Sequence, residues 1–296
     1  VGNSLYPALK EKLAGHVHSI GTTDIVASPE VFLPEDRELL LVSFARSGNS
    51  PESVGAVKAA ERVCNKVKHI FITCNSEGEL AKLAREKDNC FSIILTPETH
   101  DRSFAMTSSF TNMYLAALIA FKGVEELKLD EVIEASKSFI EEGYKVYKSF
   151  VEENDFDRVV YLGTDILKGI AQESALKILE LTAGQIVPIY DTPMGFRHGP
   201  KSIINDRTLC VVYMSNNKKT RRYEEDVRKE LEADGRGLLL TIEDDLGLSN
   251  CELALDYIVR AQAIAFFCSL KVNLTPDNPC PTGEVNRVVK GVTIYE

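Results

Sequence analysis

Three charged residues lie at helical spacing in the middle of the chain. Glu173, Lys177 and Glu180 are separated by four and then three positions, which places them on one face of a helix. The opposite face is apolar and carries Ile170, Leu176 and Leu179. Such a stripe usually forms a solvated surface with a Glu173–Lys177 ion pair. The alternative is catalytic, with Glu180 acting as a general base inside a pocket.

A histidine in a glycine-flanked loop follows this helix. His198 lies in the Gly-Phe-Arg-His-Gly-Pro run of residues 195–200. A single histidine is most often structural, but one in such a loop is poorly placed for a core. A carboxylate and an imidazole together form the acid–base pair that an aldose–ketose proton transfer requires. His198 therefore favours the catalytic interpretation of Glu180.

A hydroxyl-rich loop lies between an apolar run and a helix that begins at Pro51. Its residues are Arg46, Ser47, Gly48, Asn49 and Ser50. A helix N-terminus offers free backbone N–H groups and a partial positive charge, so this loop predicts a phosphate site. An ordinary N-cap is an equally good explanation, because caps use the same residue types. Thr107 and Ser108 open another helix and indicate a second, weaker anion site.

The remaining histidines and the seven cysteines give no metal motif. His16 and His18 share one face of a predicted strand but have no third ligand nearby, and His69 and His100 belong to no motif. The cysteines are odd in number, form no CxxC pair and sit mostly in apolar stretches, so they are interpreted as reduced core thiols. We expect no metal and no cofactor.

Composition restricts the class of protein. The chain has 296 residues, is 44% hydrophobic and carries a formal charge of −10. The hydrophobic content predicts a packed core, and the negative charge argues against a nucleic-acid partner. No apolar run approaches the ~20 residues of a membrane span, and no signal peptide is visible. These features predict a soluble cytoplasmic protein, in which a small anionic ligand would need only a local positive pocket.

Apolar β-rich runs alternate with helical patterns, which is typical of parallel sheets covered by helices. Strands are predicted at residues 16–20, 39–44, 69–73, 90–94, 158–162, 208–214 and 237–242. Helices are predicted at residues 3–14, 51–63, 79–85, 107–122, 130–150, 166–182, 219–233 and 256–270. The predicted fold class is therefore α/β.

The two halves of the chain look like copies offset by 168 residues. The strand, loop and helix around residue 47 recur around residue 215, and helix 166–182 corresponds to helix 3–14. The second half opens with strand 158–162 and a Gly-Thr turn. Its first-half counterpart would precede residue 1, so we expect the natural protein to extend upstream.

Three runs together resemble the sugar isomerase (SIS) family: residues 44–50, 173–180 and 196–200. They look like the isomerase half of glucosamine-6-phosphate synthase, without its glutaminase domain. They are still more similar to the tagatose-6-phosphate ketose/aldose isomerases, also described as galactosamine-6-phosphate deaminases. The run 276–292 strengthens this likeness, which covers essentially the whole chain. It implies a double SIS domain, with units at 1–128 and 156–296 joined by a helical connector at 129–155.

The resemblance also implies how a sugar phosphate would bind. Ser47, Ser50 and the Thr107 region would hold the 6-phosphate. The other predicted substrate-binding residues are Arg46, Gly48, Asn49, Ser108, Glu173 and Lys177. The family's first Gly-Thr-Ser turn has no counterpart in these 296 residues, and a chain without it is expected to bind substrate poorly.

The implied chemistry is an aldose–ketose proton transfer. Glu180 would move the proton between C1 and C2, His198 of a neighbouring subunit would open the ring, and Lys290 would lie in the sugar site. The expected reaction converts galactosamine 6-phosphate to tagatose 6-phosphate with loss of ammonia, in a homodimer or larger homo-oligomer. Plain isomerisation, glucosamine 6-phosphate deamination and a non-catalytic sugar-phosphate sensor remain open alternatives.

Overall fold

Two separate parallel sheets organise the protein in the computed structural model, which describes residues 1–13, 16–285 and 291–295. The first sheet has the strand order β1-β2-β3, and the second has the order β5-β4-β6-β7. The strands are β1 (Glu38–Ala45), β2 (Lys66–Thr73), β3 (Cys90–Ile94), β4 (Arg158–Leu162), β5 (Val187–Asp191), β6 (Thr208–Tyr213) and β7 (Leu238–Ile242).

Helices connect successive strands, as parallel pairing requires. The helices are α1 (Gly2–Lys12), α2 (Thr22–Ala27), α3 (Pro29–Phe32), α4 (Pro51–Val63), α5 (Glu79–Glu86), α6 (Ser108–Lys122), α7 (Leu129–Ser138), α8 (Tyr144–Glu153), α9 (Ile166–Leu181), α10 (Pro193–Phe196), α11 (Lys218–Asp234) and α12 (Asn250–Lys271). Short 3₁₀ turns lie at Pro97–Thr99, Val124–Glu126 and Gly199–Ile203. The predicted α/β class and the double SIS arrangement are confirmed.

Two of the sequence predictions for strands are wrong. Residues 16–20 are irregular and pair with neither sheet. Strand β5 was missed because it contains Pro188, which cannot donate a ladder hydrogen bond. Proline is tolerated there because β5 is an edge strand that pairs only with β4.

The predicted connector is helical from Leu129 to Glu153 but not uniform. A π-helical turn, Phe139–Gly143, joins α7 to α8. Phe139 is buried there, packs edge-on against Tyr147 and lies under the Arg260 guanidinium. The connector is therefore fastened to α12 by the cation–π contact between Arg260 and Phe139. The domain boundaries at 128 and 155 stay a prediction.

Helix α12 lies in the core that the two halves share. The largest cluster of buried apolar side chains includes residues of α1, α6, α9 and α12 together with strands of both sheets. By length and composition α12 could span a membrane, contrary to the prediction from apolar runs, but 61% of its apolar window is buried inside the protein. It begins at Asn250, six residues before the predicted start, because Ser249 and Glu252 form a capping box.

The predicted repeat is visible in the arrangement of elements. Adding 168 to the end of β1, Ala45, gives the end of β6, Tyr213, and the helix and strand that follow each correspond in the same way. Helix α1 occupies in the first half the place of α9 in the second. The two helices pack closely: a Cβ on Gly169 would lie 2.5 Å from the Ser4 backbone, and the Asn3 amide donates to Gln172 Oε1 at 2.6 Å.

Candidate active site

The loop at residues 46–50 is held in a fixed shape by the end of the next strand. Gly48 has φ +66°, a conformation that glycine adopts without steric cost. Asn75 Nδ2 donates to the Ser47 carbonyl at 2.9 Å, and Thr73 Oγ1 donates to the Arg46 carbonyl at 3.4 Å. Neither Thr73 nor Asn75 was predicted as a site residue, although Thr73 ends β2 in register with Ala45 at the end of β1, and Asn75 follows β2 as Ser47 follows β1. This register could have indicated them.

A second glycine makes the tight packing of this loop possible. A Cβ on Gly78 would lie 2.4 Å from the Ser47 carbonyl oxygen, so a larger residue would displace the loop. Asn49 Oδ1 accepts from the Glu79 N–H at 2.9 Å, at the start of α5, and so fastens the loop to a neighbouring helix. The substrate-binding role of Asn49 stays a prediction.

Ser50 acts as the N-cap of α4. Its hydroxyl oxygen accepts from the Ser53 N–H at 3.2 Å and its O–H donates to Ser53 Oγ at 2.7 Å. The Ser47 hydroxyl oxygen accepts from the Asn49 N–H at 3.3 Å. The N-cap explanation of the loop is therefore correct, and a hydroxyl N-cap leaves the positive end of the helix dipole facing the loop. The phosphate site stays a prediction.

The second predicted anion site already contains a carboxylate. Asp101 accepts from the N–H groups of Thr107, Ser108 and Ser109 at 2.9–3.1 Å, and from the Thr107 hydroxyl at 2.9 Å. Asp101 is buried, which by itself raises its pKa, but these hydrogen bonds hold the pKa below its usual range. The phosphate role of Thr107 and Ser108 stays a prediction, and only the Ser108 hydroxyl is left to contribute a donor.

The charged stripe on α9 faces inward rather than outward. Lys177 is 1% exposed, whereas Leu176 and Leu179 on the predicted core face are 41% and 47% exposed. The expected orientation of the apolar face is therefore wrong, except at the buried Ile170. A buried lysine needs partners, because an isolated charge is costly in a protein interior. This burial removes the solvated-surface interpretation.

Two carboxylates supply those partners. Lys177 Nζ lies 3.3 Å from Glu173 Oε1 and donates a short hydrogen bond to Glu180 Oε2. Burial raises the pKa of Glu180 above its usual range, the positive charges of Lys177 and Arg46 limit that rise, and Glu173 adds to it. A carboxylate with a raised pKa is a stronger base than an exposed one and suits proton transfer near neutral pH.

Arg46 relates the loop to the charged stripe. The charge of its guanidinium limits the rise of the Glu180 pKa, although Arg46 follows β1 and Glu180 lies in the last turn of α9. The loop at residues 46–50 and the charged stripe therefore lie near each other, and each is supplied by a different half of the chain. Gly163 stands at the other end of α9, where a Cβ would lie 2.3 Å from the Leu167 carbonyl oxygen.

His198 lies outside this cluster within a single chain. It is exposed and sits between α10 and the following 3₁₀ turn, where Thr192 caps α10 by accepting from the Gly195 N–H at 3.0 Å. The flanking residues fix the loop to α11, since Arg197 donates to Glu230 at 2.7 Å. Lys290 lies outside the described residues.

Three features define the class of this protein: parallel sheets, a phosphate-type loop after β1, and a cluster of the buried Lys177 with carboxylates on α9. They are those of a protein with two sugar isomerase (SIS) domains, and residues 5–122 match the SIS domain family. The D-galactosamine-6-phosphate deaminase AgaS of Shewanella sp. (strain ANA-3) is 45% identical over 94% of this chain and 73% of its own length. The chain belongs to the family of these AgaS proteins. The AgaS protein of Escherichia coli is 37% identical over 100% of this chain and 82% of its own.

Solved structures agree with this membership. The crystal structure of tagatose-6-phosphate ketose/aldose isomerase from Escherichia coli superimposes with a TM-score of 0.90 at 35% identity. The match covers 100% of this chain and 82% of that one. The C-terminal domain of glucosamine-fructose-6-phosphate aminotransferase from Francisella tularensis shares the fold, with a TM-score of 0.71 at 15% identity over 93% of this chain and 82% of that one.

Proposed function

We propose that the protein converts galactosamine 6-phosphate and water into tagatose 6-phosphate and ammonia. The observation that carries this proposal is the half-buried Glu180, which accepts a hydrogen bond from the buried Lys177 and has a raised pKa. Membership of a family whose relatives are named galactosamine-6-phosphate deaminases supports the choice of substrate.

The loop after β1 is the proposed phosphate site. The helix dipole of α4 and the hydroxyl of Ser47 favour an anion, the Ser50 O–H can turn from Ser53 Oγ toward it, and Gly48 lets the backbone come close to it. Arg46 adds a positive charge to this loop, and the same charge limits the rise of the Glu180 pKa. Binding the phosphate here places the carbon chain of the sugar along the charged stripe.

Proton transfer then follows from the position of Glu180. In the open-chain aldehyde, Glu180 removes the C2 proton and leaves an enolamine. Returning that proton to C1 gives a ketimine, and water hydrolyses it to the ketone and ammonia. Lys177 limits the pKa rise of Glu180, so that it is ionised before the step, and Glu173 orients Lys177.

Ring opening is assigned to His198 of a neighbouring subunit, with Lys290 in the sugar site. The exposure of His198 on a loop fixed to α11 supports this assignment, since an exposed imidazole is available to a second chain. We therefore propose a homodimer or larger homo-oligomer that works in the cytoplasm.

Ammonia release from galactosamine 6-phosphate tests the assignment directly. Glu180→Gln removes the base without changing the shape of the side chain and should lower kcat by about 10²–10⁴-fold. Glu232→Gln, an exposed glutamate on α11, is the matched control and should leave kcat unchanged. Turnover that survives Glu180→Gln would show that another group is the base.

Two further substrates separate the alternatives. Glucosamine 6-phosphate differs only at C4, and faster release of ammonia from it would reassign the substrate. Galactose 6-phosphate has no amine, and its conversion to tagatose 6-phosphate would mark a plain isomerase. Tight binding of galactosamine 6-phosphate without turnover by the unmodified protein would favour a sensor.

A further inference from the structure

A histidine, a cysteine and a glutamate meet on the first sheet. His69 of β2 and Cys90 of β3 are paired in register, and Glu61 of α4 lies over them. The possible ligand atoms of these three residues all lie within 4.8 Å of one another. Cys90 opens its strand and lies in the amino-terminal half of the sheet, whereas the loop at residues 46–50 follows the carboxyl end of β1.

The imidazole of His69 is buried without hydrogen bonds. It is 1% exposed, and neither Nδ1 nor Nε2 has a hydrogen-bond partner among the described residues. Nε2 lies 3.9 Å from Glu61 Oε1, which is too far for a hydrogen bond. Buried polar atoms are nearly always satisfied, and a neutral imidazole nitrogen is the commonest metal ligand in proteins.

Thiolate, imidazole and carboxylate are the three ligand types of protein zinc sites. Zinc bonds of about 2.0–2.3 Å place tetrahedral ligand atoms about 3.5 Å apart, so the observed separations require shifts of roughly 1 Å or less. The Glu61 side chain is 28% exposed and connects the cluster to solvent, from which a fourth ligand can come.

We infer that Glu61, His69 and Cys90 form a site for a zinc-type divalent cation. Metal binding releases the Cys90 thiol proton to solvent, and the resulting thiolate, the neutral imidazole and Glu61 Oε1 hold the ion. The site ties α4 to two strands of the first sheet. It stabilises that sheet and takes no part in the proton transfer at Glu180.

Lys87 tunes the affinity of this site. Its ammonium lies 2.6 Å from Glu61 Oε2, which leaves Oε1 directed toward His69. A positive charge so close to the ion repels it, so the site binds more weakly than one without the lysine. Lys87→Met should therefore strengthen metal binding.

Cobalt titration of the metal-free protein provides the test, because a thiolate bound to Co²⁺ gives an ultraviolet charge-transfer band and tetrahedral Co²⁺ gives visible bands. Both should appear at one equivalent, and Zn²⁺ should displace them. Cys90→Ser should abolish the ultraviolet band, and Glu61→Gln should weaken binding by at least about tenfold. The matched control, Cys210→Ser, alters an equally buried thiol of the second sheet and should leave the spectrum unchanged.

Thermal unfolding supplies a second measurement that does not depend on activity. Zn²⁺ should raise the Tm of the unmodified protein and of Cys210→Ser, but not that of Glu61→Gln. Because Glu61 is partly exposed, Glu61→Gln should fold, and the comparison can be made even if Cys90→Ser fails to fold. Absence of the cobalt bands at one equivalent, or the same bands in Glu61→Gln, would overturn the inference. Either result would leave the proposed reaction at Glu180 untouched.

Discussion

The loop after β1 and the loop after β6 occupy equivalent places in the two halves but differ in what fills them. In the first, the Ser47 hydroxyl accepts from the Asn49 N–H of the loop, and the Ser50 hydroxyl accepts from the Ser53 N–H in the first turn of α4. In the second, the buried Glu224 carboxylate accepts from the Ser215 N–H at 2.6 Å. Asn217 accepts from the first helical N–H groups of α11.

A carboxylate therefore occupies in the second half the kind of position that a bound phosphate would take in the first. Within the described part of the chain, no carboxylate accepts from the N–H groups of residues 47–50. A carboxylate also takes this kind of position at α6, where Asp101 accepts from the N–H groups of Ser108 and Ser109. Of these three helix starts, only that of α4 is left for an external anion.

Helices α1 and α9 also occupy equivalent places in the two halves, but here it is the second half that carries the candidate functional residues. Subtracting 168 from Glu173, Lys177 and Glu180 gives Leu5, Leu9 and Lys12 on α1. Leu5 and Leu9 are buried, and Lys12 pairs with Glu126. The proposed acid–base residues thus belong to the second half and the proposed phosphate loop to the first. In this proposal the repeat gives one composite site rather than two equivalent sites.

Ser47→Ala and Ser215→Ala test this asymmetry most strongly, because the two serines are equivalent in the repeat. Loss of a hydroxyl donor to a phosphate should raise KM by about 10–100-fold in Ser47→Ala. Ser215 is fully buried and bonds to Thr220 Oγ1 at 2.6 Å, so its alanine variant should lower stability by about 1 kcal/mol and leave KM alone. Steady-state kinetics and thermal unfolding of both variants decide. Equal KM effects would mean that the second loop also binds phosphate.

Much of this arrangement could be predicted from the sequence. The alternation of apolar runs and helical patterns located six of the seven described strands, and turn composition located the loop at residues 46–50. Periodicity could not decide which face of α9 is buried, because α9 packs against both α1 and α12. Lys177 is buried because Glu173 and Glu180 pair with it, and such pairing depends on the tertiary structure. The carboxylates of Asp101 and Glu224 were likewise missed, since each reaches its helix start only in the folded chain.

Asp101→Asn should give the next largest effect by weakening the cap of α6. The change replaces charge-assisted hydrogen bonds with neutral ones, which should lower the free energy of unfolding by about 1–2 kcal/mol at pH 7. Because the folded-state pKa of Asp101 is lowered, its contribution is present above the unfolded-state pKa and is lost as the pH falls through the folded-state pKa. Urea unfolding of both proteins between pH 2 and 7 should show curves that converge in acid. A constant difference across that range would mean that the carboxylate charge is unimportant.

Lys177→Met should change the pH dependence of catalysis. Removing the ammonium that limits the pKa rise of Glu180 should raise that pKa further, so the acid limb of kcat/KM moves to higher pH. Activity should fall several-fold more at pH 6 than at pH 8, because Glu180 must be ionised to act as a base. Lys82→Met, at an exposed lysine on α5, is the control and should leave the limb in place. If the acid limb of kcat/KM does not shift in Lys177→Met, Lys177 does not influence the pKa of Glu180.

Glu224→Gln should have the smallest effect and bears most directly on the difference between the two loops. Glutamine can still accept from the Ser215 N–H, so stability in acid should change by less than about 1 kcal/mol. Burial raises the pKa of Glu224, so the unmodified protein loses stability as the pH rises from the unfolded-state pKa through the folded-state pKa. Glutamine does not ionise, and the variant should lack this loss. Urea unfolding at pH 4 and pH 8 should therefore show that the free energy of unfolding of Glu224→Gln increases relative to that of the unmodified protein at the higher pH. If instead the unmodified protein becomes relatively more stable at pH 8, the ionised carboxylate stabilises the second loop, as a phosphate is proposed to do in the first.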